Sequence, residues 1–186
     1  MFAAACDEAG TIKVKKLSFN GVKAVDESDL KKALATQTSS KLPWGKKRYF
    51  DRSRFDADLA RLRAFYADRG FPDARVTSFD VKLNNEQNAV DLTVTISEGE
   101  PVTVAAVNFT GFDAIPADHL RTMTSSVPLK AGRPRDRQQV VATQELALNE
   151  LRDHGYPYAK VSTSVDDGPD GKQQADALPD YTDPGE

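Results

Sequence analysis

The side chains that most often carry out chemistry in proteins are scarce in this sequence. The 186 residues include two histidines, His119 and His154, and one cysteine, Cys6. Two histidines and one cysteine at these positions do not give the ligand spacing of a zinc site. A glycine-rich phosphate-binding loop is also absent from the sequence. We therefore expect no catalytic residue, no metal site and no cofactor, and a protein that is not an enzyme.

Two weaker patterns could still indicate a site. Asp166, Asp167 and Asp170 lie close to Gly171, as in a calcium loop, but the twelve-residue ligand pattern is missing, so a turn is favoured. Cys6 follows a run of small residues, as the acylated cysteine of a bacterial lipoprotein does. The apolar stretch of such a signal is missing. Lipidation of Cys6 therefore stays open beside the simpler interpretation, a disordered tail over residues 1–10.

Composition narrows the class of protein. Charged residues make up 28% and hydrophobic residues 39% of the chain, which is typical of a globular protein. The net charge of -3 gives no reason to expect binding to nucleic acid. The longest apolar runs are too short for a membrane-spanning helix. A single cysteine excludes a disulfide within the chain.

Residues 55–76 predict an amphipathic helix, a stop and the start of a strand. One helical face carries the apolar residues of this stretch, which are Phe55, Leu59, Leu62 and Tyr66. Asp58 falls between them and is expected on the polar face. Gly70 stands where a helix takes a left-handed cap, Phe71 follows where it can pack back on the last turn, and Pro72 prevents continuation.

The sequence repeats itself once. Six positions between Val14 and Leu30 match positions between Val104 and Leu120 at a constant shift of 90. Five positions between Gly70 and Val76 match positions between Gly155 and Val161 at a shift of 85. The first copy therefore carries five extra residues, which we place in an insertion over residues 39–50. A period of this length predicts two domains, over residues 11–100 and 101–183.

Each copy predicts the same elements. In the first, alternating residues predict a strand over 11–19, with a bulge between Val14 and Leu17. A short helix is expected from Asp26, with Asp29 in a partial capping box and Leu30, Ala33 and Leu34 on its buried face. Two alternating stretches around a polar turn at residues 84–88 predict a β-hairpin.

The second copy is expected to end in the same way, but with a weaker last strand. Val161 begins an alternating stretch, and the final strand should fall near residues 174–182. Pro179 lies in that segment and cannot donate a ladder hydrogen bond. The fold class that follows is α+β, as two tandem β-α-α-β-β modules, each with two helices packed on a three-stranded mixed sheet.

With this order established, the sequence resembles POTRA domains of the Omp85 outer-membrane assembly family. The motifs that carry the resemblance are Leu17-Ser18-Phe19-Asn20-Gly21 with its copy Val107-Asn108-Phe109-Thr110-Gly111, and Gly70-Phe71 with its copy Gly155-Tyr156. The resemblance implies a location in the periplasm, on the N-terminal side of a membrane β-barrel in the full-length protein. It also implies binding to unfolded outer-membrane proteins and to other envelope assembly subunits. The subfamily stays open.

In that family the strand after the stop motif is an edge strand, and edges can accept another strand. The residues that the resemblance implies for contact are Val76, Ser78, Asp80 and Lys82 in the first copy, and Lys160, Ser162 and Ser164 in the second. The alternative is an edge whose charges, Arg75, Asp80 and Lys82, prevent it from pairing with another strand. A structural spacer or docking platform for envelope partners is therefore the second functional hypothesis.

The insertion is a second candidate surface. Trp44 lies among the cations Lys46, Lys47 and Arg48. An aromatic residue flanked by cations can rest on an anionic membrane or dock on a partner protein. The alternative is a loop whose Trp44 packs on its own domain. The two histidines align with Asp29 and Arg69 of the first copy, and we expect them at solvated positions.

Overall fold

The computed structural model describes residues 12–42, 44–167 and 173–180. Its contacts divide the chain into two compact units, with the main boundary between Glu100 and Pro101. The predicted tail with Cys6 lies outside the described residues, as do Asp170 and Gly171.

The first unit has the predicted β-α-α-β-β order. Its elements are β1 (Lys13–Asn20), α1 (Glu27–Ala33), α2 (Arg52–Asp68), β2 (Arg75–Leu83) and β3 (Ala89–Ser97). The sheet order is β1-β3-β2. β3 lies in the centre, parallel to β1 and antiparallel to β2. The predicted mixed sheet is therefore confirmed.

The second unit repeats this order. Its elements are β4 (Val104–Phe109), α3 (Ala117–Ser126), α4 (Arg137–Asp153), β5 (Lys160–Asp167) and β6 (Gln173–Asp180). The sheet order is β4-β6-β5. The helices α2 and α4 both have 17 residues and begin at Arg52 and Arg137, at the shift of 85 that the sequence predicts. Pro179 lies in the central strand β6, opposite Val161 of β5.

The core of the first unit lies on one face of β3. Val90, Leu92, Val94 and Ile96 are buried and alternate with half-buried polar residues on the other face. The helix α2 contributes Phe55, Leu62 and Tyr66 to this core, as its periodicity predicts. Burial of such apolar side chains is the main favourable contribution to folding. One face of the sheet is therefore apolar and covered, and the other is polar.

Glycines end the long helices and the first strand as expected. Gly70 and Gly155 have φ values of 88° and 93°, which a residue with a Cβ atom rarely adopts. Gly21 has a φ of 80°, and a Cβ atom there would lie 2.2 Å from the carbonyl oxygen of Ile96. The chain can turn out of β1 this close to β3 only because position 21 has no side chain.

Two local expectations for α1 are wrong. Asp26 is the N-cap residue, but its side chain accepts no hydrogen bond from a helix amide. Asp29 forms an ion pair with Lys32 at 2.8 Å instead of closing a capping box. Leu30 and Leu34 are buried as expected, whereas Ala33 is exposed. The buried face of α1 is therefore narrower than predicted, with Leu30 as its buried residue.

The expected polar position of Asp58 is also wrong, because Asp58 is fully buried. Its carboxylate accepts hydrogen bonds from the backbone amides of Ala35 at 2.9 Å and Thr36 at 2.7 Å. Arg61 lies 2.6 Å from the same carboxylate. Burial alone would raise the pKa of Asp58, but the hydrogen bonds from Thr36, Ala35 and Arg61 outweigh it, so the pKa is lowered. Asp58 thereby joins the end of α1 to the middle of α2.

We predict that Asp58→Asn lowers the free energy of unfolding by about 2–4 kcal/mol, because one buried amide loses its acceptor and the charge is lost. The measurement is urea unfolding at about pH 7. The matched control is Asp56→Asn on the same helix. Its exposed ion pair with Arg52 should contribute no more than about 1 kcal/mol.

The same variant tests the pH dependence. A carboxyl group whose pKa is lowered by folding stabilises the protein above its unfolded pKa of about 3.9, and this contribution is lost as the pH falls through the folded pKa. The wild-type chain should therefore lose more stability than Asp58→Asn between about pH 5 and about pH 2. Equal losses in the two proteins would contradict the role given to Asp58.

Candidate functional site: the sheet edges and the insertion

The insertion closes the start of the β1 edge. Lys13 pairs with Tyr49 in an antiparallel bridge. The amide of Val14 donates to the carbonyl oxygen of Arg48 at 2.9 Å, and the carbonyl oxygen of Val14 accepts from Ser39 at 2.8 Å. An incoming chain therefore cannot pair with β1 at Lys13 or Val14 without displacing residues 39–49.

The second unit has the same closure at β4. Thr103 pairs with Pro134 in an antiparallel bridge. The amide of Val104 donates to Arg133 at 2.9 Å, and the carbonyl oxygen of Val104 accepts from Gly132 at 2.7 Å. The bridges match at the shifts of 90 and 85 that relate the two copies. Closure of the first-strand edge therefore belongs to the repeat and does not depend on the extra residues of the insertion.

β2 forms the opposite edge of the first sheet. It pairs with β3 from Arg75↔Ser97 to Leu83↔Val90. Within the described residues, its backbone has no recorded partner on the outer side. The position of β2 at an edge, which the resemblance implied, is confirmed.

A bulge divides the residues implied for contact on β2. The register shifts between Val76 and Ser78. Val76 pairs with the buried Ile96, so it lies on the helix-covered side of the sheet. Ser78, Asp80 and Lys82 pair with polar residues of β3 and lie on the open side. The sequence did not predict this bulge, and the four residues do not share one face.

Aromatic contacts hold β2 against the helix layer. The ring of Phe79 lies 5.6 Å from the ring of Phe55 in an edge-to-face arrangement, with the guanidinium of Arg52 5.0 Å above it. Such aromatic pairs stabilise by about 0.5–1.5 kcal/mol beyond their buried area. Phe79 is nevertheless 39% exposed, and Leu83 on the same side is 51% exposed. The edge is thus anchored, yet it leaves apolar surface open.

Two of the three charges on β2 cancel, and the third is that of Arg75. Asp80 and Lys82 form an ion pair at 2.9 Å on the open side, and both side chains are exposed. The hydrogen bond and the negative charge of Asp80 raise the pKa of Lys82. Because the charges of Asp80 and Lys82 neutralise each other, the pair repels an approaching charged strand less than an unpaired charge would. Exposed ion pairs of this kind are nevertheless weak.

The corresponding edge strand of the second unit is less accessible. β5 lies at the sheet edge and includes Lys160, Ser162 and Ser164. The side chain of Gln144 in α4 donates to the carbonyl oxygen of Val161. Ser162 and Ser164 already make interactions within the chain. β2 is therefore the better candidate for pairing with another strand.

The insertion presents Trp44 to solvent. Trp44 is 83% exposed, so the alternative that it packs on its own domain is wrong. The basic residues near Trp44 differ in their contacts. The half-buried Lys47 turns its Nζ atom back to the carbonyl oxygens of Ser40 at 3.4 Å and Leu42 at 3.2 Å, whereas Lys46 is exposed. Arg48 holds the β1 edge through its carbonyl oxygen.

A basic groove lies beside the insertion. Its volume is about 690 Å³, and its charged lining residues are Lys13, Lys15, Lys16, Lys41, Lys47 and Asp91. The excess of positive charge suits an anionic ligand or surface. Sequence reasoning found the cations of the insertion but missed the three lysines of β1 that face them. The sequence shows that these three lysines lie on one strand, but it does not show that the insertion folds onto that strand.

The two histidines lie together, which the sequence did not predict; His119 is exposed as expected, and His154 is half-buried. His119 of α3 and His154 at the end of α4 stack edge to face, with ring centroids 4.7 Å apart. The Nδ1 atom of each ring lies 3.5 Å from the same carboxylate oxygen of Glu150. The Glu150–His154 spacing of four residues on a helix was the signal in the sequence, and it carries no information about His119.

No helix in the described part of the chain combines the length and the apolar character that crossing a membrane requires.

Comparison with known proteins places both copies in one family. Residues 12–99 and 102–177 match the family model of POTRA, described as surface antigen variable number repeat. An outer membrane protein assembly factor of Treponema pallidum (strain Nichols) is 35% identical over 123 residues, which cover 64% of this chain and 14% of that protein. The outer membrane protein assembly factor BamA of Neisseria meningitidis serogroup B is 22% identical over 158 residues, which cover 84% of this chain and 19% of BamA. The chain spans less than a fifth of both curated relatives.

Solved structures include similar fragments. POTRA domains 3–5 of BamA from Haemophilus influenzae are 22% identical, with a TM-score of 0.47, and the match covers 91% of this chain and 66% of that one. POTRA domains 1–2 of Omp85 from Anabaena are 12% identical, with a TM-score of 0.41, and the match covers 95% of this chain and 100% of that one.

Proposed function

Because this chain belongs to the POTRA family, we propose that it is the periplasmic polypeptide-binding part of an outer-membrane protein assembly or translocation factor. The names of these two relatives, both outer membrane protein assembly factors, support this proposal. Its ligands are unfolded outer-membrane proteins, and other envelope assembly subunits are its partners. Its place is the periplasm of a Gram-negative-type bacterium, attached to the outer membrane.

The binding mode that we propose is strand addition to β2. The observation that carries it is the difference between the edges of the first sheet: β1 is closed at Lys13 and Val14, and β2 has no recorded outer backbone partner among the described residues. Main-chain pairing is almost independent of sequence, which suits a receptor for many different clients.

Side-chain exposure along β2 favours one kind of client segment. Phe79 and Leu83 leave apolar surface open on one side of the strand, and Ser78, Asp80 and Lys82 present polar groups on the other. A neighbouring strand places its side chains beside those on the same face. The edge therefore matches a segment in which apolar and polar residues alternate, the pattern of membrane barrel strands.

The energy of such pairing suits transient binding. Each hydrogen bond contributes about 0.5–1.5 kcal/mol net, and a short pairing also loses the freedom of the client chain. A pairing of four to six bonds therefore binds weakly and releases its client readily.

We predict that a peptide of about eight alternating residues shifts the backbone amide NMR signals of β2, with smaller changes in β3. A peptide with the same side chains, N-methylated at alternate residues so that one edge cannot donate, should bind at least about tenfold more weakly. A scrambled peptide that keeps the alternation should bind like the original.

The second hypothesis, a spacer or docking platform without client binding, gives a different result. In that case neither peptide shifts the signals of residues 75–83. Equal binding of the N-methylated and unmodified peptides, or shifts confined to α1 and α2, would also contradict strand addition.

We further propose that the insertion contacts an anionic membrane surface. The exposed Trp44 and the lysine-lined groove beside it support this role, because an aromatic side chain can enter the interface while cations attract anionic headgroups. Trp44 is the only tryptophan of the chain, so its fluorescence reports on this loop alone.

We predict that vesicles rich in phosphatidylglycerol shift the Trp44 emission to shorter wavelength, and that phosphatidylcholine vesicles do not. Raising the salt concentration should reverse the shift, because it screens the attraction to the lysines. The charge-reversing variant Lys41→Glu replaces an exposed lysine of the groove next to the loop. It should weaken the emission shift. Unchanged emission with anionic vesicles would contradict membrane contact.

A further inference from the structure

The second unit brings together three side chains that can bind a metal ion. One nitrogen atom of His119, one nitrogen atom of His154 and a carboxylate oxygen of Glu150 all lie within 4.8 Å of one another. His119 comes from α3, and Glu150 and His154 come from one face at the end of α4. Both histidines of the chain are therefore used in one cluster.

One carboxylate oxygen of Glu150 has no hydrogen-bond partner within the described residues. This atom, Oε1, is buried, and within the described residues no donor reaches it at hydrogen-bond distance. The imidazole nitrogens lie at 3.5 Å, which is long for a hydrogen bond between nitrogen and oxygen. A buried carboxylate oxygen without a partner costs free energy, and a cation between the three side chains would remove that cost.

A backbone hydrogen bond orients the ring of His154 so that its Nε2 atom can bind a metal ion. Its Nδ1 atom lies 2.8 Å from the carbonyl oxygen of Glu150. A carbonyl oxygen can only accept, so Nδ1 carries the proton and donates, and the lone pair remains on Nε2. Histidines that bind metals commonly donate their other N–H to a backbone carbonyl in this way, which fixes the orientation of the ring.

We propose that His119, Glu150 and His154 form a Zn²⁺ site that joins α3 to α4. Two imidazoles and one carboxylate are a ligand set that zinc uses, with a fourth position left for water or another ligand. Tetrahedral zinc with ligand distances of about 2.0–2.1 Å requires ligand atoms about 3.3 Å apart. The ligand atoms now lie within 4.8 Å of one another, so side-chain rotations must bring them to this spacing, and the 55% exposure of the His119 side chain leaves room for such rotations. Mg²⁺ and Ca²⁺ prefer oxygen ligands and should not compete.

The test is a Zn²⁺ titration of the chain without a histidine tag, followed by calorimetry and by NMR of the imidazole rings. We expect one Zn²⁺ per chain, shifts in both ring signals and a melting temperature that rises with Zn²⁺ concentration. Mg²⁺ at the same concentration should have no effect. Because the chain has two histidines, a variant that lacks one of them assigns both ring signals.

Variants locate the ion. His119→Asn, His154→Asn and Glu150→Gln should each weaken Zn²⁺ binding by at least about tenfold. The matched control, Glu145→Gln at an exposed position of α4, should bind like the wild type. Cys6→Ser tests whether the thiol of Cys6, another ligand that zinc accepts, takes part in binding. We expect this variant to bind Zn²⁺ like the wild type.

Circular dichroism without metal shows whether each variant folds. If His154→Asn does not fold, His119→Asn decides, since His119 is the more exposed ring. Three results would overturn the proposal: no saturable binding of Zn²⁺, binding that survives His119→Asn, or binding that is lost only in Cys6→Ser.

Discussion

The position of the last strand in the centre of each sheet is the constraint from which the other features follow. β3 lies between β1 and β2, and β6 lies between β4 and β5. Because β1 and β3 are parallel, the chain between them must cross from one end of the sheet to the other, and it does so through two helices and β2. Each module therefore has two edges, and what covers each edge decides whether another chain can pair with it. The backbone bonds of Val14 and Val104 close one edge of each module at its start.

The two copies share this architecture but join their helices by different polar contacts. In the first, the carboxylate of Asp58 binds the amides of Ala35 and Thr36 beyond the end of α1. The equivalent position in the second copy is Thr143, which is buried and whose hydroxyl has no hydrogen-bond partner in the described part of the chain. There, His119 of α3 instead lies beside Glu150 of α4. The repeat thus fixes the apolar core and leaves the polar link between the helices free to change.

The resemblance to POTRA domains implied the edge position of β2. Periodicity and the internal repeat predicted the elements and their order, because these depend on apolar patterns and on the glycines that stop the helices. They did not predict Asp58, the bulge after Val76 or the cluster of His119 with Glu150. An aspartate between apolar helix positions is usually on the surface, since buried carboxylates are rare. Its burial is decided by two amides more than 20 residues earlier in the chain. The histidine cluster likewise depends on the crossing of two helices, which neither sequence pattern encodes.

The bulge after Val76 has a consequence for recognition that extends beyond local geometry. A shift by one residue exchanges the two faces of every residue that follows. Without the bulge, Ser78, Asp80 and Lys82 would share the face of Val76, and Phe79 would lose its contact with Phe55 on the helix side. With it, the apolar and polar sides of β2 are set by packing under α2 before any ligand arrives. An alternating segment that slips by one residue on such an edge would place apolar side chains beside Asp80 and Lys82. If β2 adds a client strand as we propose, the edge would accept many sequences, and for each of them it would favour registers that differ by two residues.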